Sequence, residues 1–356
     1  MSVFASEAYA DHEQVIFCRD DVSGLRAIIA IHSTALGPAA GGCRMYPYST
    51  EAEALFDVLR LSKGMSYKNA LAGIPLGGGK SVIIGDPRKE KSPALLRSFA
   101  EHVNRLGGTY HTAEDVGIGM ADADIMASAS PFVFGVSRKG GADASGDPSP
   151  FTARGTFQGL RAATRHRLGR DTLEGLRVAV QGVGNVGMAL CGFLHDAGAK
   201  LMVADPSKDR LDLARERFGA SIVPLDEIMA VEADILAPCA LGAVINARSI
   251  PQIKAPVIAG AANNQLETRM DAQRLVERRI TFAPDYVINA GGMHNASADI
   301  FDEHAPQHIA ERIDGIYDLT LDILTEAEAA STSPVDIADR RARAIIANTS
   351  AIRSQA

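Results

Sequence analysis

The sequence lacks most of the features that mark secreted, metal-bound or membrane-inserted chains. It has only four cysteines, Cys18, Cys43, Cys191 and Cys239, with no C-x-x-C pair and no histidine pattern beside them. That spacing argues against a disulfide framework and a zinc site, so no metal is expected; it suits reduced, mostly buried thiols in a cytoplasmic protein. Long apolar runs are missing too: stretches such as VIAGAA fall far short of a membrane span. MSVFASEAYADHEQ has neither a basic n-region nor an apolar h-region, so no secretory leader is expected. There is no basic excess, and a formal net charge of -7 argues against nucleic-acid or anionic-membrane partners. Internal repeats and low-complexity tracts are absent.

What is present reads as an ordinary soluble globular enzyme, with 46% hydrophobic and 22% charged residues. A chain of 356 residues is too long for one typical core, so two domains are expected. In the second half, RVAVQ (177–181) is a β-branched run that ends in GVGNVG, and a helical pattern, MALCGFLHDAG, follows. KLMVADPS reads as the next strand, a charged helix follows around Lys208–Phe218, and ASIVPL, ADILAP, APVIAG and YVINAGG recur as further short apolar runs. Strands alternating with helices at this spacing indicate a parallel, doubly wound sheet. The first half is also mixed. LRAIIAIH reads as a strand, EAEALFDVLRLSKGMSYKNALAG as a helix, SVIIG as a strand and ALLRSFAEHVNRL as a second helix. KGGADASGDPSP (139–150) is the linker or hinge candidate, and IAERIDGIYDLTLDILTEAEAA reads as one long amphipathic helix near the end.

Two glycine-rich motifs invite different chemistry. GVGNVG is a full G-x-G-x-x-G, formed by Gly182, Val183, Gly184, Asn185, Val186 and Gly187 between a strand and a helix, with Asp205 ending the next strand. Small residues let the backbone approach a pyrophosphate at a helix N-terminus, and the carboxylate can accept from both ribose hydroxyls while repelling a 2′-phosphate. The bland alternative is a glycine-rich turn; with strand, helix and acid all in place, the pattern favours a dinucleotide, NAD over NADP. Lys208 and Arg210 are near enough in sequence to blunt that preference.

The second motif, IPLGGGKS, fails as a phosphate-binding loop. The G-x-x-x-x-G-K-[ST] spacing would need a glycine where Ile74 stands, and Lys80 leads into a strand rather than a helix. What remains is Lys80 on a flexible turn with Lys68 nearby. Two such lysines are either surface groups flanking a turn or, if close and desolvated, an arrangement that favours a neutral amine able to act as a base. YHTAEDVGIGM places Glu114 beside Asp115 before a glycine turn, a pattern that also suits a helix cap; GAANNQL sets amides at the end of a candidate strand, where they would face a cofactor crevice.

Together, GPAAGGCRM, LRLSKGMSYKNALAGIPLGGGK, TAEDVG, SGDPSP, GVGNVG, APCALGAVIN, GAANNQL and YVINAGG resemble the glutamate/leucine/phenylalanine/valine dehydrogenase family, and most of all its leucine dehydrogenase branch. The resemblance runs from about residue 10 to 330 with the motifs in order. It implies an α/β fold of two domains with a deep cleft between them: an N-terminal α/β substrate and oligomerisation domain over residues 1–140, joined by C-terminal helices in 330–356, and a Rossmann-type NAD-binding domain over 141–329. It implies NAD-dependent, reversible oxidative deamination of an L-amino acid to the 2-oxo acid and ammonia, in a homo-oligomer such as an octamer or dimer.

The same resemblance implies the roles. Lys80 is the general base for water, Lys68 holds the substrate carboxylate with backbone at Gly77 and Gly78, and Asp115 relays protons. Asn263 orients nicotinamide against substrate, and Thr152 touches the carboxamide. Asp147, Cys239 and Ala240 join the glycine turn and Asp205 in cofactor binding, while Ala40, Met65, Ala113, Met293 and Ala296 line the substrate side.

Glutamate-specific members carry a lysine where this chain has Ala40, so a second carboxylate would go uncompensated and glutamate is disfavoured. The leucine enzyme's leucine at that position, and its two valines after NAGG, are replaced here by Ala40, Met293 and Ala296. That predicts an apolar pocket of different shape, for leucine and branched-chain substrates first and phenylalanine or another bulky amino acid as the alternative. His294 also departs from the pattern and reads as a residue turned away and satisfied by backbone. The rival readings are a non-catalytic NAD-binding regulator, which would have lost Lys68, Lys80 or Asp115, and a hydroxy-acid or amine oxidoreductase.

Overall fold

The structure is a computed structural model that describes residues 3–137, 147–302 and 305–353. The chain divides into two compact units: Met1–Asp147 with Ala296–His304 and Ala342–Ala356, and Pro148–Asn295 with Ala305–Arg341. This is the α/β, two-domain fold expected of the sequence. The division differs from the expected 1–140, 141–329 and 330–356 in two places: Ala296–His304 is grouped with the first unit, and at the C-terminus residues up to Arg341 stay with the second. The reason at the C-terminus is an ion-pair cluster: Arg269 Nη1 donates to Asp339 Oδ2 at 2.6 Å and the Tyr286 hydroxyl donates to Asp339 Oδ1 at 2.7 Å.

In the first unit, β1 (Gln14–Asp20), β2 (Leu25–Ser33), β3 (Ala39–Ala40), β4 (Cys43–Tyr46), β5 (Gly77–Ile84) and β6 (Tyr110–His111) form a mixed sheet in the order β1-β2-β5-β3-β6, with β4 also on β5. Helices α1 (Glu51–Leu71), α2 (Pro93–Asn104) and α3 (Met120–Ala127) accompany it. The near-continuous apolar run of β2 is explained by burial on both faces. Leu25, Ala27, Ile29 and Ile31 join one core with Phe99, Val103 and Tyr110, while Ile28 and Ala30 join another with Leu55, Val58 and Leu59 of α1. Thr50 caps α1 by accepting from the Glu53 N–H, and Ser92 caps α2 with Pro93 at its first position.

In the second unit, α4 (Ser149–Leu168) precedes β7 (Arg177–Gln181), α5 (Asn185–Asp196), β8 (Lys200–Ala204), α6 (Lys208–Phe218), β9 (Ser221–Ile222), β10 (Ile235–Pro238) and β11 (Val257–Ile258). Then come α7 (Arg269–Glu277), β12 (Thr281–Phe282), α8 (Asp285–Ile288), α9 (Gly291–Phe301), α10 (Pro306–Asp314), α11 (Ile316–Ala329) and α12 (Pro334–Arg353), of which α9 from Ala296 and α12 from Ala342 are counted with the first unit. The sheet is parallel throughout, in the order β12-β11-β10-β7-β8-β9. Strand order runs outward from β7 in both directions, so β7 marks the switch point of a doubly wound sheet, where such folds bind ligands.

Four sequence expectations are corrected. The glycines before Lys80 are not a turn but the start of β5. YVINAGG supplies no strand; it spans α8 and the beginning of α9, since a short apolar run does not distinguish a buried strand from a buried helix. The expected long helix is two, α10 and α11, interrupted at Gly315, where Asp314 is gripped by the Arg154 fork at 2.8 and 2.6 Å. Of the linker expected over 139–150, residues 139–146 lie outside the described residues, and Ser149 and Pro150 already belong to α4.

Candidate functional site

The candidate residues fall into two sets, one in each unit. In the first unit, segment 109–116 zips onto segment 39–45: Ala39, Gly41, Cys43 and Met45 donate N–H bonds to Thr109, His111, Ala113 and Val116 carbonyls at 2.8–3.1 Å. This pairing carries Asp115 to Lys80 of β5, whose Nζ lies 2.6 Å from Asp115 Oδ2, with both side chains nearly buried. Arg44 of β4 adds a second cation, its Nε 3.5 Å from the same oxygen. Burial works against the Asp115 charge, but Lys80 and then Arg44 outweigh it and hold the carboxyl down at about 2. The neighbouring Glu114 is pushed the other way, by burial and then by the charges of Asp147 and Asp115. The acid pair is therefore split between two environments and caps no helix.

The last turn of α1, which carries Lys68, is fastened to the start of β5: Asn69 Nδ2 donates to the Gly77 carbonyl at 2.7 Å. Gly78 is required by close approach, since a Cβ there would fall 2.1 Å from the Ser66 backbone nitrogen. Ala40 is fully buried and in register with Gly78 on one side and His111 on the other. Met65 and Ala113 lie close by, Met65 against Gly41 and Ala113 as the acceptor for Cys43 N–H. Lys68, Lys80, Asp115, Ala40, Met65, Gly77, Gly78 and Ala113 are thus gathered in one unit. The partner seen on Lys80 is a carboxylate.

Behind this set, His32 Nδ1 meets Ser66 Oγ at 2.8 Å, and its ring lies 5.0 Å from that of His12. Burial, then the charges of His12 and Lys63, push His32 from 6.5 down to about 3. Between those values the unfolded chain binds a proton that the folded chain refuses, so stability falls as pH drops below 6.5 toward 3. Urea titrations at successively lower pH should show this slope, and a His32→Gln variant should show a shallower one; an unchanged slope would count against it.

In the second unit, the GVGNVG turn follows β7. Gly182 has φ +93° and packs against Ala240, and a Cβ on Gly187 would lie 2.0 Å from the Gly182 carbonyl oxygen. Gly184 is the N-cap of α5 and Asn185 and Val186 open it, with no side chain capping the first turn. Asp205 is buried; its Oδ2 accepts from the Val183 N–H at 2.9 Å and its Oδ1 from the Ser207 N–H at 2.8 Å. Arg210 comes near the turn, its guanidinium 3.9 Å from where a Gly184 Cβ would stand. Cys239 donates its N–H to the Gln181 carbonyl at 2.7 Å, beside the turn, and burial pushes its thiol up to about 12.

Asn263 Oδ1 accepts from Asn289 Nδ2 at 2.8 Å, and the same amide donates to the Ala261 carbonyl at 3.1 Å. Thr152 lies in the first turn of α4, against Gly292 of the NAGG motif. Met293 and Ala296 sit one turn apart on α9, Met293 counted with the second unit and the buried Ala296 with the first; His294 is buried, and desolvation, then Arg312, lower it to about 4. Asp147 belongs to the first unit, unlike the other expected cofactor residues. Among the described residues no cluster of His, Cys, Asp or Glu could hold a metal ion, and no helix is long and apolar enough to cross a membrane.

Two residues in quoted motifs had been given no role. Arg44 stands in GGCRM, where a basic residue on a buried strand signals a buried partner. Asn289 stands in YVINAGG and fixes the Asn263 amide.

Comparisons with known proteins show the family. Residues 12–131 match the family described as Glu/Leu/Phe/Val dehydrogenase, dimerisation domain. Residues 144–208 and 207–347 match Glutamate/Leucine/Phenylalanine/Valine dehydrogenase. The chain is 49% identical over 344 residues to leucine dehydrogenase of Bacillus cereus, covering 97% of this chain and 93% of that one. It is 43% identical over 342 residues to phenylalanine dehydrogenase of Lysinibacillus sphaericus, covering 95% and 89%. A solved structure of L-tryptophan dehydrogenase from Nostoc punctiforme matches with TM-score 0.81 and 40% identity, covering 95% and 97%. These relatives are oxidoreductases, a class that a doubly wound unit with a G-x-G-x-x-G turn and a unit with a buried lysine–aspartate pair both suit. The chain belongs to the Glu/Leu/Phe/Val dehydrogenase family and is an amino-acid dehydrogenase.

Proposed function

We propose that the chain catalyses the reversible, NAD-dependent oxidative deamination of an apolar L-amino acid to its 2-oxo acid and ammonia. The observation that carries the reading is the buried Lys80–Asp115 pair at 2.6 Å. Lys68 pairs with the substrate carboxylate, with backbone at Gly77 and Gly78 beside it. Lys80, once neutral, takes a proton from the water that adds to the substrate's imine carbon. Asp115 is ionised at rest, so it first accepts a proton, across the short contact with Lys80, and then delivers it to the substrate nitrogen that departs as ammonia. Asn263, held by Asn289, and Thr152 orient the nicotinamide.

The second unit fits a dinucleotide: the turn closes tightly at Gly182 and Gly187 while Gly184 leaves its backbone uncovered by any side chain of its own, and the uncapped first turn of α5 offers N–H donors and positive dipole. When bound, NAD takes the hydride from the substrate Cα. Asp205 supports NAD over NADP by repelling a 2′-phosphate, and Arg210 close to the turn tempers that preference. Cys239 and Ala240 border this site in the same reading.

The small, buried Ala40 beside Gly78, with no cation in its place, supports an apolar substrate rather than glutamate. Leucine and branched-chain amino acids come first in this reading; the phenylalanine and tryptophan enzymes among the relatives support a bulkier alternative. The description of residues 12–131 as a dimerisation domain supports a homo-oligomer, and a cytoplasmic location completes the reading.

The reverse reaction tests it. NADH oxidation by a branched-chain 2-oxo acid should require ammonium. Equal rates with and without ammonium would identify a hydroxy-acid oxidoreductase instead.

A further inference from the structure

Asp115 is held from two sides. Lys80 reaches its Oδ2 from β5 at 2.6 Å and Arg44 Nε reaches the same atom from β4 at 3.5 Å. On its far side, Arg44 Nη1 donates to Asp57 Oδ2 at 2.8 Å. That oxygen also accepts from the Tyr48 hydroxyl at 2.7 Å, and Asp57 Oδ1 accepts from Arg60 Nε at 3.1 Å. The Arg44, Asp57 and Asp115 side chains are only 17%, 11% and 15% exposed. Arg44 is thus a buried bridge between two carboxylates, a task its planar fork suits.

We propose that Arg44 is a positioning residue of the reaction, holding Asp115 in place and paired with a cation while Lys80 is neutral and able to act as base. The proposal rests on the reading of Lys80 as base and Asp115 as relay. If Lys80 were the sole cation beside Asp115, losing its proton would strand a buried carboxylate, and that cost would oppose formation of the neutral amine. Arg44 does not deprotonate, so Asp115 keeps a cation whichever form Lys80 takes. Asp57 keeps Arg44 in turn from standing as a lone buried charge, and Tyr48 and Arg60 fix Asp57.

The other groups that face Asp115 do not substitute for Arg44. Burial pushes the Cys43 thiol on β4 up to about 12 and raises the Tyr110 phenol on β6 as well, so both are neutral. Glu114, adjacent in the chain, is a like charge whose carboxyl is raised by burial and then by Asp147 and Asp115. Lys68 and Arg60 belong to α1, where Arg60 is engaged with Asp57.

The test is the pH profile of kcat/KM for oxidative deamination in the parent, Arg44→Gln and Arg44→Lys, with Lys80→Ala and Asp115→Asn run alongside. Activity should rise with pH along an acid limb. In Arg44→Gln that limb should move up by about one unit, a roughly tenfold loss on the limb that recovers at higher pH. Arg44→Lys keeps the charge and should leave the limb within about a third of that displacement. An Arg44→Gln variant that loses activity equally at every pH has lost only structure, and the proposal fails. If Arg44→Gln does not fold, Arg44→Lys decides: a limb that stays in place supports the proposal, and one displaced by the full unit overturns it. Parent-level activity in Lys80→Ala or Asp115→Asn overturns the underlying catalytic reading instead, whatever the limb does.

Discussion

Replacing Lys80 by alanine is expected to lower kcat for deamination by about 10²–10⁴-fold, the usual contribution of a positioned general base. Affinity for the dinucleotide should stay at the parent level, because the glycine turn, Asp205 and Asn263 belong to the other unit. The fold should tolerate the change. Breaking a buried ion pair outright costs about 3–5 kcal/mol, but Asp115 retains Arg44, whose Nε is 3.5 Å away, and the loss should be smaller. Steady-state kinetics beside a fluorescence titration with NADH separates these effects. A kcat near the parent's would remove Lys80 from the chemistry, and lost NADH affinity would mean the variant had damaged more than the base.

The second large effect is expected at the glycine turn. In Gly187→Val, the new Cβ would fall 2.0 Å from the Gly182 carbonyl oxygen and 3.0 Å from its carbon. Both are backbone atoms, so the turn itself has to open. That should weaken NADH binding by more than about tenfold and cost about 1–3 kcal/mol of stability, as overpacking does. Gly192→Ala, five residues along on the same helix, is the control. Its Cβ would lie 3.8 Å from the Phe218 ring, an ordinary contact, and alanine in a helix interior should stabilise by about 0.5–1 kcal/mol. Equal NADH affinity in parent, Gly187→Val and Gly192→Ala would show that the turn does not hold the dinucleotide.

How much of this was legible depends on how local each signal is. The strand, turn and helix of RVAVQGVGNVG follow one another in the chain, and the structure places β7 and α5 where the sequence put them. Lys80 could be singled out from GGGK, but its glycines suggested a turn. They serve instead to let β5 pass within contact of Ser66 and the Tyr110 ring, and neither neighbour is visible from the motif. Helix α4 left no clear pattern because Gly155 and Gly159 are poor helix formers. They are there for packing: a Cβ on Gly159 would lie 2.1 Å from Ile288 Cγ2. Arg44 was overlooked for the plainest reason, since its partners Asp57 and Asp115 come from a helix and a distant loop that only the fold brings together. The expectation at Ala40, by contrast, needs no fold, because the missing charge is itself the signal.

The central claim is that this chain oxidises an apolar L-amino acid with NAD and releases ammonia. The most direct test is NADH formation with matched ammonia release on leucine, valine, isoleucine, methionine, phenylalanine, tryptophan and glutamate. The account predicts strong turnover on at least one apolar member, ammonia and NADH in equal amounts, and little on glutamate. Silence across the apolar members while NADH still binds, or glutamate as the preferred substrate, would contradict it.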